Sequence, residues 1–372
     1  MDQNHKQSLL WLDLLRGLAA LVVMAGHLRS VMFVDFESLS SPGFPEKAFY
    51  FVTGFGHQAV IIFFVLSGFF IIRSVHQSLM QEKWTWRVYF INRLTRLWTV
   101  LIPGLVLGFF WDKIGLALYP TYEVYTGIVD HLVYFYPNGK LNLITLLGNL
   151  VFVQTIFVET FGTNGALWSL SNEFWYYIAF PLIYVGFRTR KALWGVVLGI
   201  SIIVCFDYFA LDNATHPALY FGIWLLGGLA FWLSNRLSAV QYRGLYALLV
   251  ALLLLCVLAG IRGKSLPVLF NDYSLGLVTM LLVALLSSLE MRLSLVKSTA
   301  SFLSSISYTL YVVHLPLAVF CSAFFFEQRA TFTNGSVGIY MLVFAIILFY
   351  AWVVYFLFER NTDRIKRLLL RY

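Results

Sequence analysis

Apolar runs of about twenty residues recur along this chain from residue 10 to residue 358, and no other feature constrains its fold as tightly. A hydrocarbon core of about 30 Å is crossed by roughly twenty helical residues, because a helix satisfies its own backbone polar groups away from water. Hydropathy offers eleven such stretches: 10–33, 50–73, 97–118, 143–159, 166–187, 191–210, 217–234, 242–261, 272–289, 302–326 and 336–358. Composition agrees. Hydrophobic residues make up 60% of the chain, charged residues 12%, and mean hydropathy is +0.79, all outside the soluble globular range. The opening MDQNHKQS is short and polar and the run behind it is long enough to span, so no cleavable signal peptide is read. Cys205, Cys256 and Cys321 each sit alone in an apolar run, which gives no disulfide framework and no metal-ligand spacing.

Charge decides the topology. The stretch 143–159 is short and carries Asn149 and Gln154. If it crosses, Arg188, Arg190 and Lys191 fall outside, against the positive-inside rule. If it is re-entrant or interfacial, ten spans remain and both termini are cytoplasmic. Only Arg29, Lys47, Lys113, Lys140, Arg262, Lys264 and Arg329 of the 26 Lys and Arg residues then lie outside. The expectation is therefore an all-α polytopic membrane protein of ten transmembrane helices in one membrane-embedded domain, 1–372, with no repeat and no linker. The net charge of +8 is a topology signal spread over loops, not a nucleic-acid surface. The inner loop 74–96 reads as an amphipathic surface helix with Trp84 and Trp86 at the headgroups. The outer segment 119–142 carries Asp130, His131 and tyrosines 119, 122, 125, 134 and 136, which suit either sugar stacking or an interfacial aromatic belt.

Ionisable residues inside spans cost a few kcal/mol each and mark function by default. Arg16 and His27 are eleven residues apart, so on one helix they share a face within about 20° and are separated by about 16 Å of rise. Arg16 lies toward the cytoplasm and His27 toward the outer leaflet, although snorkelling would also account for Arg16. Glu173, in ALWSLSNEFWYY, matches the depth of His27 and suits an imidazole partner, or equally a structural Arg or Asn pair. Arg93 and Arg96 share a face just before the third span. Two guanidiniums so placed suit phosphate groups, and they suit anchoring to anionic lipid as well. FFVLSGFFI places Ser67 and Gly68 in the second span, where a small residue admits close helix packing. SYTLYVVHLP puts Ser307, Tyr308, Tyr311 and His314 in one span, a polar stripe that suits a ligand channel where a single core histidine would not.

Taken in order, Arg16-x10-His27, FFVLSGF, Arg93-x-x-Arg96, LWSLSNEFWYY, SYTLYVVH and Glu359-Arg360 resemble acyltransferase family 3 of membrane proteins, over about residues 9–361. The resemblance implies transfer of an acyl group, usually acetyl, from cytoplasmic acyl-CoA to a hydroxyl, often on a cell-surface or lipid-linked glycan, at a bacterial inner membrane. It implies ten spans, an essential first-span histidine at His27, and a basic inner motif at Arg93 and Arg96. Ile61 stands where many members carry an acidic residue, and Asn361 where many carry proline. With no hydrolase-like domain after Tyr372, the chain is expected to finish the transfer itself or to hand over to a separate protein.

The expected mechanism places the donor's phosphates on Arg93 and Arg96 with help from Arg16, and lines the donor path with Ser67, Tyr311 and His314. The thioester reaches His27, which deprotonates an acceptor hydroxyl and is oriented by Glu173. A covalent acyl-histidine is the alternative course. A rival from another class is a transporter or flippase for a lipid-linked sugar with His27 and Glu173 as proton relay. It has no inverted repeats or paired broken helices behind it and does not need the arginine pair.

Overall fold

In the computed structural model, residues 9–128, 130–189, 193–211, 216–237, 241–262, 268–290 and 294–371 are described. Lys6, Arg190, Lys191, Lys264 and Arg292 from the charge count lie outside them, as do the side chains of Asp130 and His131. The described chain is helical, with only isolated bridges (Phe33 to Ala330, Gln154 to Val158) in place of strands. We number its long helices α1 (Leu10–Met32), α2 (Gly56–Met80), α3 (Trp86–Leu118), α4 (Trp168–Thr189), α5 (Leu193–Tyr208), α6 (Pro217–Leu237), α7 (Arg243–Arg262), α8 (Val268–Leu286), α9 (Ser294–Phe325) and α10 (Asn334–Leu357).

Among the described residues, seven helical stretches are long and apolar enough to cross a membrane: those of α1, α2, α3, α6, α7, α9 and α10. Helices α5 and α8 contain shorter apolar stretches. Helix α4 begins WSLSNE, and that polar first turn and a half dilutes its hydropathy.

Several boundaries depart from the hydropathy windows for one reason. A window detects only the part of a helix matched to lipid, whereas the helix continues through its charged inner turns. Residues 74–96 are therefore not a separate surface helix: α2 runs to Met80, the chain turns with Glu82 at φ 55°, and α3 starts at Trp86. Arg93 and Arg96 thus belong to α3. The stretch 143–159 holds an eight-residue helix, Leu143–Leu150, about 12 Å long and too short to cross. Beyond it the chain is irregular to residue 164.

The helices distribute over two compact units. The first comprises Met1–Ala19, His57–Thr85 and Asn172–Ser305, and in it α8 packs against both α6 and α7. Helices α2 and α6 meet at Gly68 and Gly227. A Cβ on Gly68 would strike the Trp224 carbonyl, and one on Gly227 would strike the α2 backbone. The second unit comprises Ala20–Gly56, Trp86–Ser171 and Ile306–Tyr372. There α3 and α9 approach where Gly104 faces Val312 and Gly108 faces Pro316, a small-xxx-small contact.

Candidate active site

In the second unit, His27 and His314 form a directed pair. His27 Nδ1 lies 2.8 Å from His314 Nε2, and the rings are coplanar within 2° with centroids 5.1 Å apart, the geometry of an in-plane N–H···N bond. Which nitrogen donates follows from the far end of the pair. His314 Nδ1 sits 2.9 Å from the Leu310 carbonyl oxygen and 3.0 Å from that of Tyr311. Carbonyls only accept, so His314 Nδ1 carries the proton and a neutral His314 accepts at Nε2. His27 must then donate from Nδ1, which leaves its Nε2 lone pair open. His314 is fully buried and His27 half-buried, with Phe135 edge-on to it at 5.7 Å. The outcome is a fixed imidazole with one open nitrogen lone pair, held in its tautomer by a second histidine.

The segment between Leu150 and α4 braces this pair. Pro316 has no N–H, so the Val312 carbonyl one turn earlier lacks its helical partner. Asn164 Nδ2 donates to it at 2.8 Å. Tyr311 donates its hydroxyl hydrogen to the Ala166 carbonyl (2.8 Å), and Ser169 Oγ lies 2.5 Å from the same hydroxyl. Gln154 bonds the Leu167 carbonyl, and Asn149 spans Thr145, Glu159 and Phe161. Phe152 and Thr155 hold φ of 60° and 64°, a strained conformation for side chains of their size that this web over-determines. Asn149 and Gln154, which spoke against a membrane crossing, are fully buried anchors of this segment.

Arg93 and Arg96 lie in the second unit near the start of α3. Arg93 is half-buried, with its guanidinium over the Tyr89 ring at 5.7 Å and Nε enclosed without a hydrogen bond, while Arg96 is exposed. Of the outer tyrosines, Tyr122 and Tyr125 are buried, and Tyr122 donates to the Val31 carbonyl at 2.5 Å. Burial pushes both phenols well above their ordinary range. These two are core, while Tyr134 is exposed.

The first unit carries Arg16, Ser67 and Glu173. Arg16 meets Asp13 at 2.8 Å one turn before it and donates to Ser304, which itself bonds Asp13 at 2.8 Å. Glu173 accepts from Ser67 Oγ at 2.6 Å and from the Tyr177 hydroxyl, and Ser67 accepts from Trp224 Nε1 at 3.1 Å. The close α2–α6 crossing at Gly68 and Gly227 brings Trp224 onto Ser67. Glu173 thus spends its hydrogen bonds on a serine and a tyrosine, and His27 takes its bond with a histidine. Sequence reasoning singled out both His27 and His314 but matched His27 with a carboxylate by depth, and had no signal that His314, 287 residues away, is its hydrogen-bond partner. It also passed over Asp13, whose i,i+3 spacing to Arg16 was legible in LDLLRG.

A helical chain with several membrane-length apolar helices is a multi-pass membrane protein, and its second unit holds a tautomer-fixed histidine pair. It belongs to acyltransferase family 3: the family's model, an acyltransferase domain, matches residues 9–356. Acyltransferase MdmB of Streptomyces mycarofaciens is 24% identical over 361 residues, covering 90% of this chain and 86% of that protein. An uncharacterized protein of Haemophilus influenzae is 26% identical over 165 residues, 43% of this chain and 63% of its own. No solved structure matches. The protein is thus an acyltransferase by family, and among the described residues no group of His, Cys, Asp and Glu is arranged to hold a metal ion.

Proposed function

We propose that the protein transfers an acyl group, acetyl in the first instance, from cytoplasmic acyl-CoA to a hydroxyl of a carbohydrate acceptor such as a cell-surface or lipid-linked glycan, with His27 as general base. The observation that carries this reading is the open Nε2 of His27, whose tautomer follows from the hydrogen-bond chain through His314 to the Leu310 and Tyr311 carbonyls. The acceptor hydroxyl gives its proton to His27 Nε2 as its oxygen attacks the thioester carbonyl carbon. The C–S bond breaks, and the CoA thiolate leaves and takes the proton back from the imidazolium. Base catalysis of this kind contributes about 10²–10⁴ in rate. His314 is the positioning residue. Arg93 and Arg96 hold donor phosphates with help from Arg16, Tyr311 lines the donor path, and Glu173 with Ser67 forms a second polar centre for the substrates.

The same reading has ten helices spanning a bacterial inner membrane as one domain, both termini cytoplasmic and residues 143–159 re-entrant. Ten long helices among the described residues, in the places expected from hydropathy, support it.

The test follows acetyl transfer from radiolabelled acetyl-CoA by purified protein. His27→Ala is expected to lose about 10²–10⁴ of turnover with the donor still bound. His314→Ala, which removes the hydrogen bond that fixes the tautomer, is expected to cost about tenfold in kcat, with little change in donor KM. Full activity of a folded His27→Ala protein overturns the histidine base. Arg93→Gln/Arg96→Gln is expected to raise donor KM instead.

A further inference from the structure

Arg73 of α2 is 7% exposed and makes no hydrogen bond or ion pair among the described residues, with one terminal nitrogen wholly enclosed. An equally enclosed arginine elsewhere in the described chain is paired. The Arg329 side chain, also 7% exposed, meets both Glu123 and Asp35. Arg16, less buried, has Asp13. Helix α2 contains no Asp or Glu at all, so Arg73 has no counterion on its own helix. An enclosed guanidinium left unpaired is costly and is kept where something else neutralises it. Arg73 lies one turn beyond Phe70, and the Arg16 guanidinium sits over that ring at 5.8 Å. Arg16, with its carboxylate, thus sits against a ring one turn from Arg73, which has none among the described residues.

We infer that Arg73 is a phosphate-binding residue and that its ligand is a phosphate of the acyl-CoA donor. A planar guanidinium with free N–H groups matches two phosphate oxygens at once, and in an enclosed site such charge-assisted bonds are strong. This inference rests on the acyl-CoA reading above. An anionic phospholipid headgroup offers the same chemistry and is the alternative source.

The experiment measures CoA and pantetheine binding, and thermal unfolding, for wild type, Arg73→Met and Arg73→Lys in maltoside micelles, which contain no phosphate. Parallel samples receive phosphatidylglycerol. Arg73→Met is expected to weaken CoA binding about ten- to hundredfold, with pantetheine binding unchanged and Arg73→Lys in between. Without ligand, Arg73→Met is expected to unfold at a higher temperature than wild type, because an unpaired charge has been removed. A purely structural arginine gives the opposite, a less stable Arg73→Met protein, and that result overturns the site. If wild type and Arg73→Met bind CoA equally, the assignment to the donor fails while the acyl-CoA reading stands. If wild type binds no CoA, that reading itself fails. Stabilisation by phosphatidylglycerol of wild type but not of Arg73→Met then moves the phosphate to lipid, and its absence removes the site.

Discussion

Pro316 deprives the Val312 carbonyl of its helical partner two residues before His314, and Asn164 supplies the replacement from an irregular segment 148 residues away. A buried acceptor left without a donor costs about 1–3 kcal/mol. Asn164→Ala is therefore expected to lower stability by about that much and to loosen the placement of His314. Pro316→Ala restores a backbone N–H at the same carbonyl, so the Asn164→Ala cost is expected to shrink in a Pro316→Ala background. Chemical or thermal unfolding of the four proteins of this cycle decides it, since an equal cost in both backgrounds sinks the compensation. At this scale the sequence was partly informative. His27, His314, Tyr311 and the arginine pair stand out as polar residues in apolar runs, each visible alone. The partners that join His27 to His314 and Tyr311 to Ala166 are set by bonds spanning more than a hundred residues and have no local signature.

Between helices, backbone contact at glycines sets the spacing that brings Trp224 to Ser67 and Val312 toward α3. A methyl group at Gly68 would meet the Trp224 carbonyl, a backbone atom that yields only if a helix moves, whereas one at Gly338 in α10 meets nothing within 4 Å. Gly68→Ala is expected to destabilise by about 1–3 kcal/mol and to lower activity, because α2 carries Ser67. Gly338→Ala is expected to be neutral or to gain about 0.5–1 kcal/mol from helix propensity. Thermal unfolding in detergent compares the two, and a similar response at both positions argues against the close crossing. Helix existence was legible from hydropathy and the small-xxx-small pair Gly104/Gly108 from spacing alone. Helix ends were not, because α3 continues through Arg93 and Arg96 where the apolar window stops, and α9 likewise begins eight residues before its window.

For the molecule as a whole, the decisive question is how many helices cross. With the N-terminus cytoplasmic, ten crossings return the C-terminus to the cytoplasm and eleven leave it outside. A fluorescent-protein or alkaline-phosphatase fusion at each end is expected to report both as cytoplasmic, and an external C-terminus would mean that 143–159 crosses. The eight-residue length of Leu143–Leu150 favours ten. What the sequence by itself determined is what depends on local composition and spacing: a helical membrane protein, the order of its long helices, the shared face of Arg16 and His27, and a family signature. What tertiary structure decided is pairing. Only the folded chain gives His27 a histidine partner and therefore a tautomer, brings Ser67 and Tyr177 to Glu173, and encloses Arg73 with no carboxylate against it among the described residues. Hydropathy and helical period are properties of a segment, whereas a hydrogen bond needs two groups brought within 3 Å, and that distance is set by packing among segments far apart in the chain.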